Sequence, residues 1–183
     1  MLKIVKDTAT SLRARSKEVS LPITKEEKTL LYEMVDYLKN SQNEEYRKAH
    51  PKVREGIGLA APQIGVNKRM LVIYYPSINE EDSYVQHMLV NPVIIASSIK
   101  KCYLTGGEGC LSVDESHPGL VHRDYRITVK AIEASTEEEV IIKAKGYDAI
   151  VLQHEIDHLN GILFYDHIDK KDPNKPLSGA IAI

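Results

Sequence analysis

The residues with the clearest chemical potential lie in Gln153-His154-Glu155-Ile156-Asp157-His158. On a helix, positions four apart lie nearly above one another, so His154 and His158 can offer two imidazoles to one metal ion. Glu155 projects to the side of that face, where its carboxylate can reach a water on the metal and serve as general base. The bland alternative is a pair of surface histidines on an amphipathic helix. Ile150, Val151 and Leu152 precede the motif, and Ile156, Leu159, Ile162 and Leu163 surround it. That setting describes a buried helix, in which two unpaired histidines would be costly.

A catalytic metal site usually takes three protein ligands and keeps a position for water. Asp166, His167 and Asp169 lie downstream, close to the helix end, without the longer spacing of zincin endopeptidases. Upstream, Glu108-Gly109-Cys110-Leu111-Ser112 sets a thiol beside a glycine. Glycine permits close backbone approach, and a metal would hold the thiol as thiolate. Cys102, between Lys101 and Tyr103, is the competing thiol and reads as structural or free. A third segment, Gly56-Ile57-Gly58-Leu59-Ala60-Ala61-Pro62-Gln63, has two glycines in three residues, so its backbone can lie close to a substrate chain. Gln63 follows a proline turn and can aim its amide at an oxyanion. The spacing is not that of a phosphate loop.

These side chains need a scaffold. Thr24 and Glu27 have capping-box spacing, and Leu30, Leu31, Met34, Val35 and Leu38 continue a helical pattern to about Asn40. Ser41 to Lys52 reads as a helix end and surface loop. Strands are expected over Arg69–Tyr75, Tyr84–Val90, Val93–Ile99, Leu120–Ile132 and Val140–Ala144, with a charged loop at Ser77–Ser83 and an acidic turn at Glu137-Glu138-Glu139. Helix returns from about Asp148 to Asn160 and stops at Gly161. Ala180–Ile183 could add a short strand to a sheet edge. The order implies α+β: mixed or antiparallel sheets around a central metal-binding helix, in a single domain spanning 1–183.

Composition narrows the function. With 43% apolar and 27% charged residues, the 183-residue chain has an ordinary globular balance. A formal net charge of −2 gives no bulk attraction to nucleic acid or an anionic membrane. No apolar run approaches a membrane span, and the start lacks a secretory pattern. Two cysteines suit a reducing compartment, so the cytoplasm is the expected location.

Taken together and in order, Gly56–Gln63, Glu108–Ser112 and Gln153–Gly161 resemble the three marker segments of the peptide deformylases. The similarity runs from about Ile4 to Asp169. The residues before Gly56, the stretch Ser77–Ser83 and the short C-terminus resemble the subclass common in Gram-positive bacteria. The resemblance implies metal ligation by Cys110, His154 and His158, with Glu155 as acid and base. It implies oxyanion contacts from the Leu111 N–H and the Gln63 amide, and backbone pairing of Gly58 with a peptide lying along a sheet edge. Ile57, Ile150, Val151 and the His154 ring would line a methionine pocket. Glu108 and Arg123 would form an ion pair steadying the cysteine loop. Val113–Gly119 departs from many relatives, which leaves the outer substrate contacts open, and His117 and His122 read as loop residues.

The implied reaction is hydrolysis of the N-formyl group of N-formylmethionine at the amino terminus of new polypeptides, releasing formate as a metal-bound water attacks the formyl carbon. Ligand chemistry alone suggests zinc. The resemblance instead implies native Fe(2+), with Zn(2+), Ni(2+) or Co(2+) able to substitute. Nascent peptides would be the partners, with transient ribosome contact, no sequence-specific nucleic acid binding and no membrane. A zincin-type endopeptidase and a purely structural metal site are the competing readings.

Overall fold

The computed structural model describes residues 2–78 and 80–183. The chain begins with a coil and a short 3-10 turn, then enters α1, Lys25–Gln42. Thr24 closes its capping box with Glu27: the Glu27 N–H reaches the threonine hydroxyl at 3.2 Å and the Thr24 N–H reaches the carboxylate at 2.9 Å. The expected surface loop after Ser41 instead contains a second helix, α2, Glu44–Ala49, capped by the Asn43 side chain, which accepts from the Tyr46 N–H at 2.9 Å. Asn before two glutamates is a helix-start signal that the polar composition of the stretch hides.

Five strands form the main antiparallel sheet, in the order β1 (Gly58–Ala60), β2 (Met70–Pro76), β3 (Tyr84–Ser97), then two later strands, β6 (Arg126–Glu133) and β7 (Glu138–Lys145). Strand β2 is buried on both faces, which is why it reads as an unbroken apolar run. Leu71, Ile73 and Tyr75 join one core cluster, while Met70 and Val72 join another beneath α1, with Leu31, Met34, Val35 and Leu38. Between β3 and β6 run β4, Lys101–Tyr103, and β5, Arg123–Asp124. These two, with β8 (Ile181–Ala182), make a small sheet in which β8 lies parallel to β4. The tail thus adds its strand at Ile181–Ala182.

Three expectations about the strands change, the simplest at the acidic turn, where Glu137 takes the left-handed backbone (φ 59°) but Glu138 and Glu139 already belong to β7. Tyr84–Val90 and Val93–Ile99 are one strand, β3, ending at Ser97, with the register shifting between Val90 and Val93. Asn91 takes a left-handed backbone (φ 51°) and its side chain bonds both the N–H and C=O of Val19, at 2.8 and 2.9 Å. The Asn-Pro pair therefore makes a bulge rather than a strand end. The segment Leu120–Ile132 is likewise divided: Leu120 to His122 is not strand, and β5 and β6 belong to different sheets. The loop at 77–83 turns as expected, except for Asn79, which lies outside the described residues, as Met1 does.

Helix α3, Tyr147–Leu159, packs between the sheets, touching β1, β2 and β7 on one side and β5 on the other. Gly146 turns the chain into it with positive φ (57°), and Gly161 ends it in the left-handed region (76°). Val151, Leu152, Ile156 and Leu159 enter the cluster beneath β2. The architecture is α+β, with the helix at its centre.

Candidate metal centre and active site

Three segments distant in sequence meet on one side of α3. His154 and His158 lie one turn apart, their rings 4.9 Å between centroids. Cys110 arrives from the loop between β4 and β5. One donor atom from each of Cys110, His154 and His158 lies within 4.8 Å of the others. The Cys110 sulfur is 3.4 Å from His158 Nε2. A thiol and two imidazoles so placed fit a divalent transition ion. Asp166 instead pairs with Arg13 at 2.5 Å, His167 Nε2 with Asp157 at 2.7 Å, and Asp169 accepts from the Lys171 and Asp172 backbones. His117 stacks on Tyr165, His122 accepts from the Leu177 N–H, and Cys102 is fully buried in β4.

Behind the imidazoles runs a charged network. The His154 Nδ1 lies 2.8 Å from Glu108 Oε2, which leaves Nε2 for a ligand. Arg123 grips Glu108 through two bonds of 2.9 Å and also donates to Asp157. Both Arg123 and Glu108 are 3% exposed. Burial alone would push the Glu108 carboxyl up, but bonds from Arg123 and His154 bring it down to about 2. Burial disfavours the charged form of His154, yet bonding to Cys110 and Glu108 outweighs it and raises its affinity for a proton. No carboxylate meets the His158 Nδ1, which is buried with no hydrogen-bond partner among the described residues: burial, then the charge on His154, pushes this imidazole well below its usual range.

Glu155 projects from the helix toward β1. Burial raises its carboxyl to about 7, against the lowering effect of His154. Its Oε2 is buried with no hydrogen-bond partner among the described residues. On the other side lies Gly58, where a Cβ would collide with Glu155 Oε1 and come within 2.7 Å of the carboxylate carbon. Strand β1 forms one edge of the main sheet. The Ile57 carbonyl accepts from the Tyr74 N–H at 2.9 Å, so alternation along the antiparallel pair turns the N–H and C=O of Gly58 to the open side. Ala60, two residues on, follows the same pattern and donates to Gln63 Oε1 at 2.8 Å. That bond fixes the Gln63 amide, leaving its Nε2 at 3.5 Å from the Cys110 sulfur.

A cavity of about 380 Å³ joins these groups. Ile57, Ile150 and Val151 supply apolar wall, while Gln63, Cys110, Leu111, His154 and Glu155 supply the polar end. Arg123 stays behind the wall. Sequence reasoning did not assign Asp157, Gln153, Phe164 or Arg54. Gln153 docks α3 on β5 through both the N–H and C=O of Asp124, each at 2.9 Å. Phe164 lies against the His154 ring, 6.2 Å between centroids. Asp157 and Gln153 stand inside the histidine motif, but their partners are remote in sequence.

A buried carboxyl that titrates near neutrality, beside a three-donor metal cluster and an open strand edge, is equipped to hydrolyse an amide. The polypeptide deformylase family profile matches residues 1–174. A peptide deformylase of Macrococcus caseolyticus is 51% identical over all of this chain and 98% of its own. Peptide deformylase 2 of Bacillus subtilis is 48% identical over the whole chain and 97% of its own. Among solved structures, peptide deformylase from Ehrlichia chaffeensis superposes with a TM-score of 0.73 at 34% identity, covering 94% of this chain and 90% of its own.

Proposed function

The chain belongs to the polypeptide deformylase family, and from that premise we propose that it removes the N-formyl group from N-formylmethionine at the amino terminus of nascent polypeptides, releasing formate. The observation that carries this reading is the convergence of Cys110, His154 and His158 with Glu155, Gln63 and the open edge at Gly58.

Cys110, His154 and His158 would hold one divalent ion, Fe(2+) in the cell, with Zn(2+), Ni(2+) or Co(2+) able to replace it. When bound, the ion supplies Lewis acidity, making a water more acidic and drawing charge from the formyl oxygen. The protein does the rest. The Gly58 N–H and C=O pair with the peptide backbone, extending the sheet by one strand. Ile57, Ile150 and Val151 receive the methionine side chain. Glu155, poised at about 7, takes a proton from the attacking water and then hands it to the departing amide nitrogen. Charge growing on the formyl oxygen meets the Gln63 amide and the Leu111 N–H. Glu108 keeps His154 in one orientation, and Arg123 keeps Glu108 in place. Gly58 packs too tightly on Glu155 to admit even a methyl group. The same closeness would favour a formyl carbon, which carries only hydrogen, over an acetyl.

The protein would act in the cytoplasm as one catalytic domain, meeting its substrates during transient contact with the ribosome. No helix among the described residues is long and apolar enough to cross a membrane. The test is incubation with a formyl-Met peptide and its unformylated twin. Formate from the first, with both backbones intact, is the expected result. Internal cleavage of both would favour an endopeptidase, and no turnover with any divalent metal a structural site.

A further inference from the structure

We infer that Arg54, at the rim of the cavity, is a positioning residue for the oxyanion donor: it grips the carbonyl side of the Cys110–Leu111 peptide and so aims the Leu111 N–H. The inference rests on the deformylase reading above. Arg54 donates to three carbonyls of one loop: through Nη2 to Cys110 at 3.0 Å and to Leu111, and through Nη1 to Val113 at 3.0 Å. Asp114, the carboxylate it pairs with among the described residues, is farther away, at 3.4 Å, and 60% exposed. The guanidinium is therefore spent chiefly on backbone.

Its choice of carbonyls matters. In a trans peptide the C=O and N–H point in opposite directions within one plane. The Cys110 carbonyl and the Leu111 N–H share such a plane, so holding the first orients the second. The Val113 N–H also donates to the Cys110 carbonyl, at 3.2 Å, which occupies both of its lone pairs. The Leu111 N–H, by contrast, meets no acceptor among the described residues. A charged donor on the carbonyl also polarises the peptide and strengthens its N–H as a donor. Finally, Arg54 lies just before Gly56–Gly58. Its grip ties the substrate edge to the cysteine loop, so the two walls of the cavity keep a fixed separation.

The test compares the unaltered protein with Arg54→Ala, Arg54→Lys and Asp114→Asn, at matched metal content, on a formyl-Met peptide. Losing an oxyanion donor outright costs about 100- to 1,000-fold; a loosened donor should cost about 10- to 100-fold in kcat. We expect that loss in Arg54→Ala, with KM, bound metal and melting temperature preserved. Added guanidinium ion should restore part of it, because Arg54 is 44% exposed. Lysine should not substitute, since one ammonium cannot fork across three carbonyls. Asp114→Asn should match the unaltered protein. Should Arg54→Ala not fold, Arg54→Gln, which keeps an amide donor, carries the same comparison. An unchanged kcat in Arg54→Ala overturns the inference, as does a fall explained by lost metal or by KM alone. Absence of formate release from the unaltered protein overturns the functional reading, and this inference with it.

Discussion

Replacing Gly58 by alanine adds a single methyl group at a place where the structure has no room. The new Cβ would lie 2.7 Å from the Glu155 carboxylate carbon and 2.8 Å from its Cγ, whereas ordinary contact begins at 3.4 Å. Either Glu155 or β1 must yield by about 0.7 Å at the carboxylate carbon and by about 1 Å at Oε1, the nearest atom. Gly58 does not use the left-handed region, so alanine carries no backbone penalty and the collision is the whole effect. Misplacing a catalytic group by about 1 Å can cost on the order of 100-fold. We therefore expect kcat to fall by roughly 30- to 100-fold, about 2 to 3 kcal/mol of barrier, with metal content unchanged. Steady-state formate release measures the first quantity and metal analysis the second. Thermal denaturation supplies an independent check. Gly58→Ala should lower the melting temperature in the normal background and much less in a Glu155→Ala background, where the obstacle is gone. An unchanged kcat, or equal destabilisation in both backgrounds, would refute the steric argument.

Glu155→Ala should keep the metal and lose nearly all turnover; deformylation at the unaltered rate would remove Glu155 from the mechanism. Cys110→Ala should lose metal affinity in a chelator competition, and retained stoichiometric metal would point to another ligand. Arg123→Ala leaves a buried Glu108 and a half-buried Asp157 without their cation, so it should destabilise by about 3 to 5 kcal/mol, read by denaturant unfolding. The Glu27 carboxyl is raised by burial but lowered further by Lys68 and Thr24, so it ends below its ordinary 4.5. Its contribution to stability is present above 4.5 and lost as pH falls through the lower folded value. Glu27→Gln should flatten that acid limb, and an unchanged pH dependence of unfolding would exclude Glu27 as its source.

The parts of the site that could be read from sequence are those whose geometry is local. His154 and His158 are neighbours because a helix makes them so, and the apolar residues around them indicate its burial. The Gly56–Gln63 segment shows its flexibility in its glycines, but only the fold reveals that Glu155 occupies the space beside Gly58. Cys110 could be joined to the histidines through the resemblance, not through spacing. Arg54 and Asp157 were not legible, because their meaning depends on partners 56 and 34 residues away. The same limit applies to Asn91. Its junction with Pro92 looks like a strand terminus until Val19 is seen to bond its side chain from 72 residues away. α2 was more accessible: Asn43 announced it, and the polar composition masked the signal.

Strand β1 is only three residues long and ends directly in a helical turn. An exposed edge invites other chains to pair with it, and long edges promote aggregation. Here the open stretch is brief and its floor is a carboxylate. It offers a foothold to the tip of one extended chain and too little rail for a neighbouring sheet. On the proposed reading the contacts there would be with backbone, and so indifferent to which side chains follow the first residue. One enzyme could thus attend to the start of every new chain without becoming a template for any of them.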